Sequence, residues 1–346
     1  MLFNSLAFLA FLFILVLLYY TVGSRFKKYV LLVGNLVFFY YVDPCLAIVP
    51  IFITILTFGL GIIIERSKYK AIAFLFGTVV ILGILIFYKY SIFFMPLTKF
   101  LIDLFGIKGN SFPSFLTPLG ISYISFQAIG YLIELKRASY SSERNIVQFS
   151  NFLLFFSKAQ AGPVEQASNM LPQLSIENKF QYNNIVEGVR LIAWGFFKKI
   201  VIASSLVKPS SVVFQDLNDY NGKSLLIGMF YNTIQLYVDF SSYTDIARGS
   251  AKLFGIDLMK NFTRPFLSKN VTEFWRNWHI SLSTWFNVYV FGPLSVSTRN
   301  WGKFGIMFSL IITFVLIGIW HGATVNFVFF GLLHGLILCI ELALQK

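Results

Sequence analysis

Charged side chains are scarce in this 346-residue chain: Asp, Glu, Lys and Arg together make up 12%, about half the ~25% of an ordinary soluble domain. Cysteine is scarcer still. Cys45 and Cys339 each lie at or inside an apolar run, which excludes a disulfide framework or a thiolate metal cluster and predicts two small buried hydrophobes. Histidine occurs only at His279, His321 and His334, with no spacing that suits a metal site. There is no H-E-x-x-H, C-x-x-C or G-x-S-x-G motif, so a zinc protease, a thiol redox centre and a hydrolase elbow all lack their signature. Gly222-Lys223-Ser224 resembles the end of a phosphate-binding loop, but Leu217 stands where the first glycine belongs, and the loop is excluded.

What the chain has in place of charge is apolar surface. It is 57% hydrophobic, with 41 Phe, 17 Tyr, 6 Trp and a mean hydropathy of +0.72. A single soluble core cannot hide that much. The composition predicts an all-α, polytopic integral membrane protein, and at about 20 apolar residues per span about ten membrane segments in one domain over residues 1–346. The excess of 28 basic over 15 acidic residues, a net +13, then belongs to loops beside anionic membrane lipid and not to a nucleic-acid surface.

Residues 2–20 form a first apolar run that no basic stretch precedes, while Arg25, Lys27 and Lys28 follow it. That order predicts a retained span with its N-terminus outside. Runs at 29–42 and 45–64 are split by Asp43-Pro44, and the second ends in the basic loop Glu65 to Lys70. Residues 71–88 return outward, 91–112 read as interfacial, and 115–135 lead to Lys136, Arg137 and Arg144, so that three basic clusters share the cytoplasmic side. Stretches at 149–161, 185–207 and 225–238 are interrupted by Gly162-Pro163, Lys198-Lys199 and Asp239. Breaks at membrane depth persist only beside protein or a water-filled cavity, so a cavity is expected in the C-terminal half. Runs at 304–320 and 324–342 close the chain, without the internal repeat of many transporters.

Ionisable and polar groups inside apolar sequence mark pathways and sites, because each costs about 2.5–3.5 kcal/mol at the bilayer centre. Helical spacing would put His279 on one face with Trp275 and Ser283, close to Asn277 in sequence. His321 follows Trp320 and precedes Gly322 and Ala323, small residues that leave room for a substrate or another backbone. In Tyr237 to Arg248, Asp239 and Tyr243 would share one helical face, Ser241 and Asp245 another. These residues, with Gln127 and Glu134, read either as a polar cavity wall or as interhelical hydrogen bonds.

The stretches Pro118-Leu-Gly-Ile-Ser-Tyr-Ile-Ser-Phe-Gln127, Ala161-Gly-Pro-Val164, Gln235-Leu-Tyr-Val-Asp-Phe-Ser-Ser-Tyr-Thr-Asp245, Glu273-Phe-Trp-Arg-Asn-Trp-His-Ile-Ser-Leu-Ser-Thr-Trp285 and Ile319-Trp-His-Gly-Ala323 occur in that order. As an ordered set they closely resemble the membrane-bound O-acyltransferases, in the bacterial branch of alginate O-acetylation and teichoic-acid D-alanylation. The resemblance implies a helical bundle around a central funnel in the cytoplasmic (inner) membrane. A thioester, acetyl-coenzyme A or an acyl carrier protein, would be the co-substrate reached from the cytoplasm, with no bound cofactor or metal. His321 is then expected to be catalytic and His279 to support it beside the same tunnel. Asp239, Tyr243, Asp245, Trp275, Asn277, Trp320 and Gln127 are the expected substrate-binding residues. Transfer of an acyl group, acetyl as the first expectation, to a hydroxyl of a cell-surface polysaccharide is expected, directly or through an extracytoplasmic acyltransferase or esterase-like partner. D-alanyl or lipid-acyl transfer, or a non-catalytic transporter or scaffold, are the alternatives. Two features differ from the alginate-type relatives. Phe286-Asn-Val-Tyr follows Trp285 where they carry an Arg-Asp pair, and the sequence stops at Lys346 where they continue through further spans, so a shortened member is expected.

Overall fold

The computed structural model describes residues 3–91, 117–176, 179–215 and 220–344. The interfacial reading of 91–112 falls almost wholly outside them. Among the described residues the secondary structure is helical, apart from one isolated bridge pairing Phe262 with Trp278. Four helices among the described residues are long and apolar enough to cross a membrane: Ile48–Arg66, Lys70–Lys89, Lys303–His321 and Val325–Leu344. The apolar helix Leu6–Thr21 is shorter, at 16 residues. The chain divides into two compact units, Met1–Pro44 with Asn145–Asn261 and Cys45–Arg144 with Phe262–Lys346.

In the first unit, Ser5 caps Leu6–Thr21 by accepting from the Phe8 amide at 3.2 Å, and Asn145 caps Ile146–Leu153 through the amides of Val147 and Gln148. Such caps satisfy donors that a helix start leaves open. Phe3, Phe8, Phe38 and Phe156 pack against one another beside a buried amide network. Asn35 Nδ2 donates to Asn151 Oδ1 at 3.0 Å, and Asn35 Oδ1 accepts from the Phe156 amide at 2.9 Å. Asn151 in turn donates to the Lys28 carbonyl.

Two expected interruptions take another form here. Asp239 does not break its segment, since one helix runs from Gly222 to Lys252. Lys198 and Lys199 open a π-helical turn, Lys198–Ala203, between the helices Tyr182–Phe197 and Ser204–Gln215. The expected segment at 149–161 resolves into the eight-residue helix Ile146–Leu153 and the 3₁₀ turn Phe156–Lys158, too short to span at 1.5 Å per residue.

In the second unit Ile48–Arg66, Lys70–Lys89 and Ile121–Lys136 pack together. Glu65 accepts from the Ser142 amide at 3.2 Å and the Ser142 hydroxyl at 2.5 Å, and pairs with Arg144. The basic loops after Glu65 and after Lys136 therefore lie at one end of these helices. The other end of Lys70–Lys89 carries Lys89 and Tyr90, which donate to the carbonyls of Trp320 and Ile319. The Lys303–His321 helix thus finishes about 30 Å from the basic loops, the rise of a 20-residue helix.

Lys303–His321 and Val325–Leu344 form a close pair because glycine faces backbone. A Cβ on Gly318 would stand 2.1 Å from the Phe327 carbonyl oxygen, and one on Gly331 would stand 2.2 Å from that of Phe314. Gly322, expected to leave room for a substrate, has the Phe327 ring 2.2 Å from where its Cβ would be. Its small size admits a neighbouring side chain instead. Of the two cysteines, Cys339 is buried as expected, while Cys45 is exposed, just after the Asp43-Pro44 breaker.

Candidate functional site

The second unit brings His279, His321, Trp320 and Trp275 into one aromatic cluster. The Lys303–His321 helix ends on Trp320 and His321, and the carbonyls left open by that terminus accept from Lys89 and Tyr90. The Lys89 ammonium also lies 4.6 Å over the Trp320 ring. Lys89 is a residue that sequence reasoning passed over. At the end of an apolar run it looks like an ordinary lysine reaching for the membrane surface.

His279 does not sit on a continuous helical face with Trp275 and Ser283. The chain leaves Val271–Asn277 at Trp278, turns through His279 at φ +44°, and starts again as Ile280–Phe286. Trp278 N still bonds the Phe274 carbonyl at 2.8 Å, and Ser283 N bonds the His279 carbonyl at 3.0 Å. A left-handed histidine is uncommon and costs backbone energy. What it achieves here is placement: the imidazole is 5.9 Å from Trp320 and 6.5 Å from His321, between ring centroids.

The two histidines differ in access. His279 is 1% exposed and enclosed by its neighbours, an environment that favours the neutral imidazole. His321 is only partly buried. Its ring lies 5.0 Å from Trp320, parallel to Phe327 at 6.2 Å and perpendicular to Phe330 at 6.0 Å. The site therefore pairs a reachable imidazole with an enclosed one, too far apart for a direct hydrogen bond. His334 has a packing partner: its Nδ1 accepts from the Trp275 indole at 3.3 Å.

Helix Ile121–Lys136 supplies the wall beside Trp320. Phe126 lies 5.6 Å and Tyr123 5.9 Å from the Trp320 ring, and Phe126 stacks on Trp285 at 4.1 Å. Gln127 is buried one position further on and donates to the Tyr123 carbonyl at 3.2 Å. Asn277 is turned to Ser268, donating at 3.3 Å. Tyr123 and Phe126 lie in the quoted stretch Pro118 to Gln127 without being assigned a role, and nothing in the sequence pattern singled out Phe327 or Phe330, because aromatic residues are too common in this chain to stand out.

Asp239, Tyr243 and Asp245 belong to the first unit, on the helix Gly222–Lys252. Lys199 pairs with Asp239 at 2.5 Å and lies 4.5 Å over the Tyr243 ring. Lys198 pairs with Asp245 at 2.8 Å and donates to Ser241 at 2.9 Å. The expected pairing of Asp239 with Tyr243, and of Ser241 with Asp245, is thus realised, each pair sharing one lysine. Both carboxylates neutralise cations from the π-helical turn, which favours the interhelical hydrogen-bond reading. Asp239→Asn is then expected to lower the protein's level in the membrane, because removing one member leaves Lys199 without its counter-charge. The double variant Asp239→Asn with Lys199→Gln should recover most of it. Immunoblotting of membranes alongside an activity assay checks this, and normal abundance of the single variant with lost activity would restore the cavity-wall reading. Among the described residues no three His, Cys, Asp or Glu side chains cluster in a way that could hold a metal.

The arrangement of a partly open histidine at a helix end, a buried histidine beside it and a tryptophan between them falls within a stretch with a family signature. Residues 116–346 match the model for the membrane-bound O-acyltransferase family. The chain belongs to that family. Over 350 residues, 99% of this chain, it is 33% identical to the probable alginate O-acetylase AlgI of Pseudomonas aeruginosa, of which it covers 66%. It is 29% identical over 306 residues to the peptidoglycan O-acetyltransferase of Helicobacter pylori, covering 81% of this chain and 57% of the relative. With the teichoic acid D-alanyltransferase of Streptococcus thermophilus the identity is 31% over 246 residues, 67% of this chain and 58% of that one. The chain spans about two thirds of the alginate relative's length and less of the other two. As a membrane-bound O-acyltransferase family member with four helices, among its described residues, long and apolar enough to cross a membrane, it is a multi-pass membrane protein.

Proposed function

We propose that this protein is an O-acyltransferase of the bacterial cytoplasmic (inner) membrane that moves an acetyl group from a cytoplasmic thioester to a hydroxyl of a cell-surface polysaccharide. The observation that carries the reading is the placement of a partly accessible His321 beside Trp320 and His279 in an otherwise aromatic surround. An alcohol is a weak nucleophile until a base takes its proton, and a neutral imidazole suits that task near neutral pH. His321 is the base in this reading; His279, enclosed and neutral, holds the acceptor or the His321 ring in orientation. The acetylating relatives in two different surface polymers support acetyl as the acyl group.

The position of the site supports an export-side acceptor. The two basic loops of the second unit, which are expected in the cytoplasm, lie a helix length from His321. The acceptor, or an extracytoplasmic esterase-like partner that carries the acetyl group onward, would approach from the His321 end, and acetyl-coenzyme A or an acyl carrier protein from the other. About ten membrane segments around a funnel, forming one domain over residues 1–346, complete this proposal.

The test is the fate of labelled acetyl-coenzyme A added to the cytoplasmic face of vesicles containing the full chain and an isolated surface polysaccharide. Alkali-labile label on the polysaccharide is the expected result. Label that transfers only from a D-alanyl carrier would redirect the reading to D-alanylation, and no turnover of either donor would favour a scaffold.

A further inference from the structure

Burying an indole N–H without an acceptor costs about 1–3 kcal/mol, and buried tryptophans ordinarily find a partner. Two tryptophans beside the site obey this. Trp285 donates to the Phe126 carbonyl at 2.8 Å and Trp275 to His334 at 3.3 Å. Trp320 does not. It is 8% exposed, and its Nε1 is buried with no hydrogen-bond partner among the described residues.

The rest of Trp320 is firmly held. Its carbonyl accepts from Lys89, the Lys89 ammonium covers its ring, and Tyr123 and Phe126 lie against it. The preceding carbonyl accepts from Tyr90. A ring fixed through its backbone and its faces, with its single polar atom left over, sits next to the partly open His321 and 5.9 Å from His279. In a dry aromatic surround such a donor has its largest effect on an oxygen that gains charge during reaction.

We propose that the Trp320 indole N–H donates to the acyl carbonyl oxygen of the thioester while His321 deprotonates the acceptor. This inference rests on the reading of His321 as base. The acceptor oxygen bonds to the carbonyl carbon as its proton passes to His321, and the carbonyl π pair moves onto oxygen, where Trp320 holds it. When the C=O bond re-forms, the C–S bond breaks and the thiolate leaves with the proton from His321. Trp320 supplies a hydrogen bond and neither gains nor loses a proton.

Trp320→Phe keeps an aromatic ring and removes the donor together with the five-membered half of the indole. Assayed in vesicles with acetyl-coenzyme A, it is expected to lose about 10²–10³-fold in kcat with little change in KM and normal abundance. A kcat within twofold of wild type overturns the inference. Loss of transfer in His321→Ala but not in Trp320→Phe would sink this inference alone, whereas near-normal transfer in His321→Ala, or no wild-type transfer, would sink the reading beneath it. A measurement on the wild-type chain serves if Trp320→Phe fails to fold. With ¹⁵N-indole-labelled protein, one of the six tryptophan N–H signals should move downfield on binding the ketone analogue of acetyl-coenzyme A, and none should move with the ethyl thioether, which has no carbonyl. Identical spectra with the two analogues overturn the proposal.

Discussion

His321→Ala is expected to reduce acyl transfer by about 10²–10⁴-fold, the usual contribution of a positioned base, at unchanged membrane abundance. His321 is the last residue of its helix and only partly buried, so truncating it at the helix end disturbs the fold less than truncating an enclosed side chain, although its ring packs against Trp320, Phe327 and Phe330 at 5.0, 6.2 and 6.0 Å. His321→Gln should not restore the rate, because an amide cannot accept the proton. His279→Ala is expected to differ in kind. Its imidazole is fully enclosed and its backbone is left-handed, so the variant should show a smaller loss, felt partly in the apparent KM, together with reduced thermal stability. His334→Ala should be milder still in rate, its cost being the hydrogen bond from Trp275. Transfer of labelled acetyl by purified variants at matched concentration separates the three. Near-normal turnover in His321→Ala would remove the base and with it the acyltransferase mechanism.

Lys158→Met should be among the most destabilising single substitutions in the chain. Lys158 and Glu165 are each 1% exposed. The ammonium donates to the Phe152 carbonyl at 2.7 Å and lies over the Phe152 ring; the carboxylate accepts from Asn169 at 2.7 Å and from the Met259 amide. Burial pulls the lysine pKa down and pushes the glutamate pKa up, and each is the opposing charge that resists the other's shift. Removing Lys158 takes away one of the cations that offset the Glu165 charge, the other being Arg248, and leaves a carboxylate at 1% exposure more weakly compensated, which destabilises the fold. Glu165→Gln should be damaging for the same reason. The pair Lys158→Met with Glu165→Gln is expected to be more stable than either alone. Thermal unfolding in detergent checks this, and additive losses in the double variant would mean that the two charges do not compensate each other.

The four spanning helices were legible because apolar runs bounded by charge leave little freedom: the runs at 304–320 and 324–342 fold as Lys303–His321 and Val325–Leu344. The helix break at His279 was not. Trp275, His279 and Ser283 keep a regular four-residue spacing, and the left-handed turn between Trp278 and Ile280 is imposed by surroundings that no local propensity encodes. Asp239 misled in the opposite direction. A lone carboxylate in an apolar run looks like an interruption, but Lys199 from another helix neutralises it, and the helix runs through. Family resemblance is what pointed to His321 as an expected catalytic residue, while the Trp320 donor, without a partner among the described residues, and its Lys89 support are visible only in three dimensions.

The π-helical turn at Lys198–Ala203 has a consequence for how this segment tolerates change in length. Consecutive residues of an α-helix point about 100° apart, yet Lys198 and Lys199 both reach the helix Gly222–Lys252, one at Asp245 and the other at Asp239. A wider turn accommodates one extra residue, and that residue sets the rotation of everything after it. Deleting a single position between Lys199 and Ala203 would tighten the turn and swing the Ser204–Gln215 helix about its axis. A one-residue gap here is therefore a change of facing for the whole downstream helix.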